Sequence, residues 1–185
     1  MEADWEVEIG GGAPVIEALW PGFIDLRRNP DRIGELQEGA AFPPLAALLL
    51  ALNAPASPLW TAKCDLWEPE SGAASSALAC YVDVLPAEAR VFLRWQQAES
   101  FCREWAARLD PVPAPQSNVE LVVRQAVAGE IEGFGITAYL AASGPDPNAA
   151  AAALAAAMVA FAGAVPPALP PATRASKLQW ESTGE

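Results

Sequence analysis

The chain has 185 residues, 23 acidic against 11 basic side chains for a net charge of −12, no histidine, three cysteines and 52% hydrophobic residues. That length suits one domain with a real core, and the apolar share excludes intrinsic disorder. The negative balance argues against nucleic acid and against anionic membrane surfaces, since affinity for both is built from Lys and Arg, and the absence of histidine removes Ser-His-Asp, Cys-His and His-metal chemistry together.

The start, Met1-Glu2-Ala3-Asp4-Trp5-Glu6, is acidic and has no apolar run behind a basic flank, so no secretory signal is expected. A cytoplasmic, reducing location follows, with Cys64, Cys80 and Cys102 as thiols. Trp5, Val7 and Ile9 alternate with Glu6 and Glu8, which predicts a half-exposed strand ending at Gly10-Gly11-Gly12. A second strand is predicted over 18–27, interrupted by Pro21-Gly22. After a polar stretch, Pro43-Pro44 opens a helix over 45–52, because proline lacks an N–H that the first turn would leave unpaired anyway.

The pattern then recurs. Strands over 61–67 and 78–85 flank a turn-rich stretch and are followed by a helix over 94–109, stopped by a proline-rich run. Strands over 119–128 and 133–142 meet at Gly129-Glu130, and Asp146 caps a helix opened by Pro147. In that helix Leu154, Met158, Phe161 and Val165 share one face of a 3.6-residue period. The uncharged segment 147–173 approaches the roughly 18–20 residues of a membrane span. Its alanine content and the closing Pro166-Pro167 favour a buried helix instead. Residues 166–185 read as a Pro-rich extended tail, which leaves 1–165 as the folded domain.

Three consecutive ββα units predict an α+β fold: a two-layer sandwich with a mainly antiparallel six-stranded sheet and three helices on one face. Alternation places Cys64, Cys80, Val82, Leu121, Ile136 and Leu140 toward the helices. The helix stripe Trp95, Ala98, Cys102, Trp105, Leu109 covers them, while Trp60 and Trp67 fit less buried positions and Trp180 falls in the tail. The opposite face then collects Glu6, Glu8, Phe23, Asp25, Arg27, Lys63, Asp65, Trp67, Tyr81, Asp83, Arg124, Thr137 and Tyr139. Charges mixed with aromatic rings are characteristic of a binding patch, not of a merely solvated face.

Asp25 and Asp83 occupy matching places in the first and second units and are the candidate catalytic carboxylates. Lys63 and Arg124 could clamp an anion, and Trp67, Tyr81 and Tyr139 complete the candidate binding set. The plain alternative is a solvated face whose charges pair across strands for a fraction of a kcal/mol. Cys64 and Cys80 are equidistant from Gly72 and could face each other across a hairpin, with Cys102 above them. Zinc sites show close cysteine pairs or a fourth ligand, so inert buried thiols and no metal are expected. The run Gly133-Phe134-Gly135-Ile136-Thr137-Ala138 fits a dinucleotide fingerprint in letters only, because a strand continues through it where a helix should open. No cofactor is expected.

Three functions remain. The first is a non-enzymatic acidic binding or interaction protein whose open face pairs with itself in a homo-oligomer or engages a basic protein. The second is a small hydrolase- or lyase-like enzyme using Asp25 and Asp83 with Lys63 and Arg124. The third is a small-molecule sensor. A concave pocket holding a carboxylate of strongly shifted pKa would mark the enzyme, a flat, wet face would remove it, and a ligand between sheet and helices would decide for the sensor.

Overall fold

Branched and aromatic residues in alternation form the strands, and alanine- and leucine-rich runs opened by proline form two of the helices, at Pro43 and Pro147. The computed structural model describes residues 1–69, 75–88, 90–112, 114 and 116–167. Its strands are β1 (Glu2–Val7), β2 (Ile16–Ala18), β3 (Leu59–Trp67), β4 (Ser76–Pro86), β5 (Ser117–Ala128) and β6 (Ile131–Gly144). The helices are α1 (Gln37–Ala41), α2 (Pro43–Leu52), α3 (Trp95–Leu109) and α4 (Pro147–Gly163), with a 3₁₀ helix at Pro30–Glu35. The 3₁₀ helix and α1 occupy the stretch expected to be merely polar. Among the described residues no helix is long and apolar enough to cross a membrane. From residue 168 onward the expected tail, Trp180 included, lies outside the described residues.

The fold is α+β around one six-stranded mixed sheet in the order β1-β5-β6-β4-β3, with β2 also on β5. Its longer pairings, β3–β4, β4–β6 and β5–β6, are antiparallel as expected, but one edge departs from that pattern. β1 and β2 both run parallel to β5 and lie end to end along its edge, β1 against Asn118–Val123 and β2 against Ala126–Ala128. The glycines after β1 carry the chain outward and onward without reversing it, and Gly10 and Gly12 take positive φ values of 123° and 94°. The first two strands therefore form no hairpin, unlike β3–β4 and β5–β6. The strand expected over 18–27 is also corrected. β2 ends at Ala18, and the chain leaves the edge through Leu19 and Gly22, at φ 64° and 93°.

One core lies between the sheet and α2, α3 and α4. It buries Leu45, Phe101, Trp105, Leu121, Ile136 and Phe161, each fully inaccessible. Trp105 stacks on Phe161 at 4.2 Å between ring centroids, and its indole N–H donates to the Phe161 carbonyl at 3.2 Å. Asp146 caps α4 by accepting from the Ala149 N–H at 2.9 Å.

A second, smaller core sits on the opposite face at one end of the sheet, where Ile16, Ala18, Trp60, Ala62, Leu85 and Ala126 are buried. Trp60 is fully buried there, contrary to the expectation of partial exposure. Phe23 packs edge-on against it at 5.8 Å, and the Arg27 guanidinium lies 4.1 Å over its ring. The second core needs a phase change in β3. A β-bulge between Thr61 and Lys63 puts Ala62 and Lys63 in succession on the second-core side, so Leu59 and Cys64 can both face the helices.

Candidate functional site

The uncovered part of the sheet face is ordered by strand register. Lys63 stands opposite Asp83, Asp83 opposite Thr137, and in the next row Tyr81 stands opposite Tyr139. Arg124 of β5 lies opposite Gly135, at the point where β1 has ended and β2 has not begun. Lys63, Tyr81, Asp83, Arg124, Thr137 and Tyr139 line one cleft of about 560 Å³. Its wall is the segment Pro14-Val15-Ile16-Glu17 with Trp20, which the second core anchors through Ile16.

Asp83 is buried, 7% exposed, on the cleft floor. The Thr137 hydroxyl donates to one of its carboxyl oxygens at 2.6 Å. Burial pushes the carboxyl above its ordinary value, outweighing the Thr137 hydrogen bond and the positive charges of Arg124 and Lys63. Neither cation pairs with it. Among the described residues Lys63 has no carboxylate within ion-pair distance, and Arg124 is held elsewhere by an Nη2 bond to Glu8 at 2.7 Å. The Arg124 guanidinium also lies 5.6 Å from the Tyr139 ring centre, and its Nε is buried with no hydrogen-bond partner among the described residues. Tyr81 is pushed up to about 12 by burial first and then by the charges of Asp83 and Asp65, so it remains a phenol at neutral pH.

Asp25 is not in this cleft. It sits in the turn after β2, where Arg27 donates to it through Nε at 2.9 Å and Nη2 at 3.0 Å, and the Arg28 guanidinium is 3.6 Å away. Burial opposes its charge, but the Arg27 hydrogen bonds and charge, with Arg28, prevail and hold it below its ordinary value. The expected Asp25–Asp83 pair therefore fails for a local reason. The alternating run around Asp25 follows a turn and is not a strand. Trp67 shares the face but stands in the row beyond Tyr81, 38% exposed and 6.3 Å from the Tyr81 ring, so it borders the aromatic line without lining the cleft.

The wall residues Val15, Glu17 and Trp20 are the part that sequence reasoning missed. The one available signal was a tryptophan immediately before a Pro-Gly turn, which reads as a loop aromatic. On the far side of Trp20 and Lys63 a shallower hollow of about 400 Å³ reaches Phe23, Glu38 and Cys64. Cys64, Cys80 and Cys102 are free. Cys64 is opposite Val82 and Cys80 opposite Leu66, so the two thiols are offset by two residues and do not face each other. Burial pushes both up to about 12 and raises Cys102 as well. Among the described residues no three His, Cys, Asp or Glu side chains gather to hold a metal ion.

No protein-family model, curated protein or solved structure matches this chain. The site is therefore read from its own chemistry.

Proposed function

We propose that this is a small-molecule-binding protein that uses the charged-aromatic sheet face, with the cleft above Asp83 as the binding element. The observation that carries the reading is a buried carboxyl, without an ion-pair partner among the described residues, on the floor of a concave site that also presents Lys63, Arg124 and two tyrosines. Ligand pockets commonly run about 300–1,000 Å³, with few convergent polar groups among apolar and aromatic walls. A flat face built for a protein partner would not need a carboxyl held against its own charge. Three unbridged cysteines, with Cys80 and Cys102 buried, fit the cytoplasmic location expected above.

The test is a thermal-shift screen of small polar compounds on the full chain, followed by calorimetric titration of those that stabilise it. At least one chemical class should raise the melting temperature of the wild type and fail to do so in Asp83→Asn and Trp20→Ala. If no compound stabilises the wild type, or if both variants respond as the wild type does, the reading is wrong.

A second reading is favoured by the raised Asp83 pKa: a hydrolase- or lyase-like enzyme in which Asp83 carries a proton to the substrate while Lys63 and Arg124 steady developing negative charge. Asp25 has no part in it. Turnover of a bound compound, lost in Asp83→Asn, would move the protein into that class. Self-association or a basic protein partner through the same face is read out by light scattering on the same sample.

A further inference from the structure

The inference rests on the binding reading and names the ligand class. We infer that the cleft takes a compact zwitterion of the α-amino acid type, its ammonium beside Asp83, its carboxylate beside Lys63 and Arg124, and its side chain against Trp20.

Opposite charges stand apart on the cleft floor. Lys63 and Asp83 are direct cross-strand neighbours on one face, the arrangement in which opposite charges ordinarily pair. They form no ion pair here. The bulge between Thr61 and Lys63 breaks the regular pleat at that point and re-aims the lysine. Asp83 uses one oxygen for the Thr137 hydroxyl, and no other hydrogen bond from the described residues reaches its carboxyl. Arg124 spends Nη2 on Glu8 and keeps an unpartnered Nε–H. Among the described residues Asp83 and Lys63 thus stand on one floor without an ion pair, beside an Arg124 whose charge is shared with Glu8.

Single-charge ligands fit this floor poorly. An amine alone would meet Asp83 but also the ammonium of Lys63 and the guanidinium of Arg124. A simple anion would meet those cations but also Asp83 and the wall carboxylate Glu17. A molecule carrying both signs a few ångströms apart can set an opposite charge beside Asp83 and beside the cations at once, which is how polar sites discriminate between close analogues. Trp20, 38% exposed, and Val15, 46% exposed, supply the apolar wall for a side chain. Trp20 is itself braced edge-on by Phe23 at 5.1 Å, so its ring is presented and not free to collapse inward.

The experiment is calorimetric titration of the wild-type full chain at neutral pH with three probes: L-phenylalanine, L-phenylalaninamide, which lacks the carboxylate, and 3-phenylpropionate, which lacks the ammonium. L-Phenylalanine should bind at least tenfold more tightly than either analogue. Lys63→Met should bring it down toward the amide, and Asp83→Asn toward the propionate. An analogue that binds as tightly as L-phenylalanine overturns the zwitterion, as does the absence of heat from all three probes. In either case a compound from the thermal-shift screen that stabilises the wild type but not Asp83→Asn leaves the binding reading standing, and an empty screen removes both.

Discussion

The Thr137 hydroxyl donates to an Asp83 carboxyl oxygen at 2.6 Å, directly across strands β6 and β4 and beneath the cleft. Thr137→Val keeps the shape and removes the donor, leaving a buried acceptor with no partner among the described residues. A buried polar group left unpaired costs roughly 1–3 kcal/mol. The denaturation midpoint of the variant should fall accordingly with an unchanged slope, whereas a midpoint equal to that of the wild type would show that the bond contributes nothing.

Asp83 also sets a pH dependence. Its folded pKa is raised above that of the unfolded chain, so the folded state holds the proton more tightly. The stability it contributes is complete below the unfolded value of about 3.9 and is lost as pH rises through the higher folded value. Asp83→Asn has no charge to bury. Its midpoint should therefore gain on the wild type as pH is raised from about 4 to about 7. Asp25 works in the opposite sense, since its folded pKa is lowered and its contribution disappears on acidification. It is common to both proteins and cancels in the difference. A constant difference across the range would contradict the burial argument.

Gly135 has no room for a side chain. A Cβ there would stand 2.6 Å from a Leu85 methyl, 2.9 Å from an Ile16 methyl and 3.1 Å from the Val84 carbonyl. Gly135→Ala forces the second core apart, and overpacking of that kind costs about 1–3 kcal/mol. Because Ile16 anchors the cleft wall, chemical denaturation should show the loss of stability together with increased exposure of Trp20 to an aqueous fluorescence quencher.

Asn53 ties the end of α2 to the start of the bulge. Its Nδ2 donates to the Leu49 carbonyl at 2.8 Å and to the Thr61 hydroxyl at 2.6 Å, and its Oδ1 accepts from the Thr61 N–H at 3.2 Å. Asn53→Ala leaves that buried N–H unpaired and should lower stability by about 1–3 kcal/mol. It should also weaken any ligand that depends on Lys63, two residues beyond Thr61. A destabilised variant with unaltered affinity would separate the bulge from the site.

The thiols should be inert. All three are free, Cys80 and Cys102 are buried, and burial raises every thiol pKa. Little thiolate is then present at pH values near 8. Iodoacetamide followed by mass spectrometry should find none of them alkylated in the folded chain and all of them alkylated in denaturant. Labelling of Cys64 in the folded protein would place it in a more open environment than the hollow beside Glu38.

Features set by local periodicity were the most legible in the amino-acid sequence. The proline-opened helices at Pro43 and Pro147, the stripe from Trp95 to Leu109, and the side of its own strand on which each of Lys63, Tyr81, Asp83, Arg124 and Tyr139 falls follow from spacing alone. Asp25 failed because Phe23-Ile24-Asp25-Leu26-Arg27 alternates like a strand while the Pro21-Gly22 turn before it has already taken the chain off the sheet.

What the amino-acid order determined by itself is which side chains share a face, because pleat and helix periods are properties of consecutive residues. Whether that face is bare, concave or covered was decided only by long-range packing. Parallel pairing of β1 and β2 with a strand more than a hundred residues away, and the seating of Ile16 and Trp60 in a second core, turn a flat patch into a cleft. Those contacts join segments distant in the chain, and no local spacing encodes the distance between them.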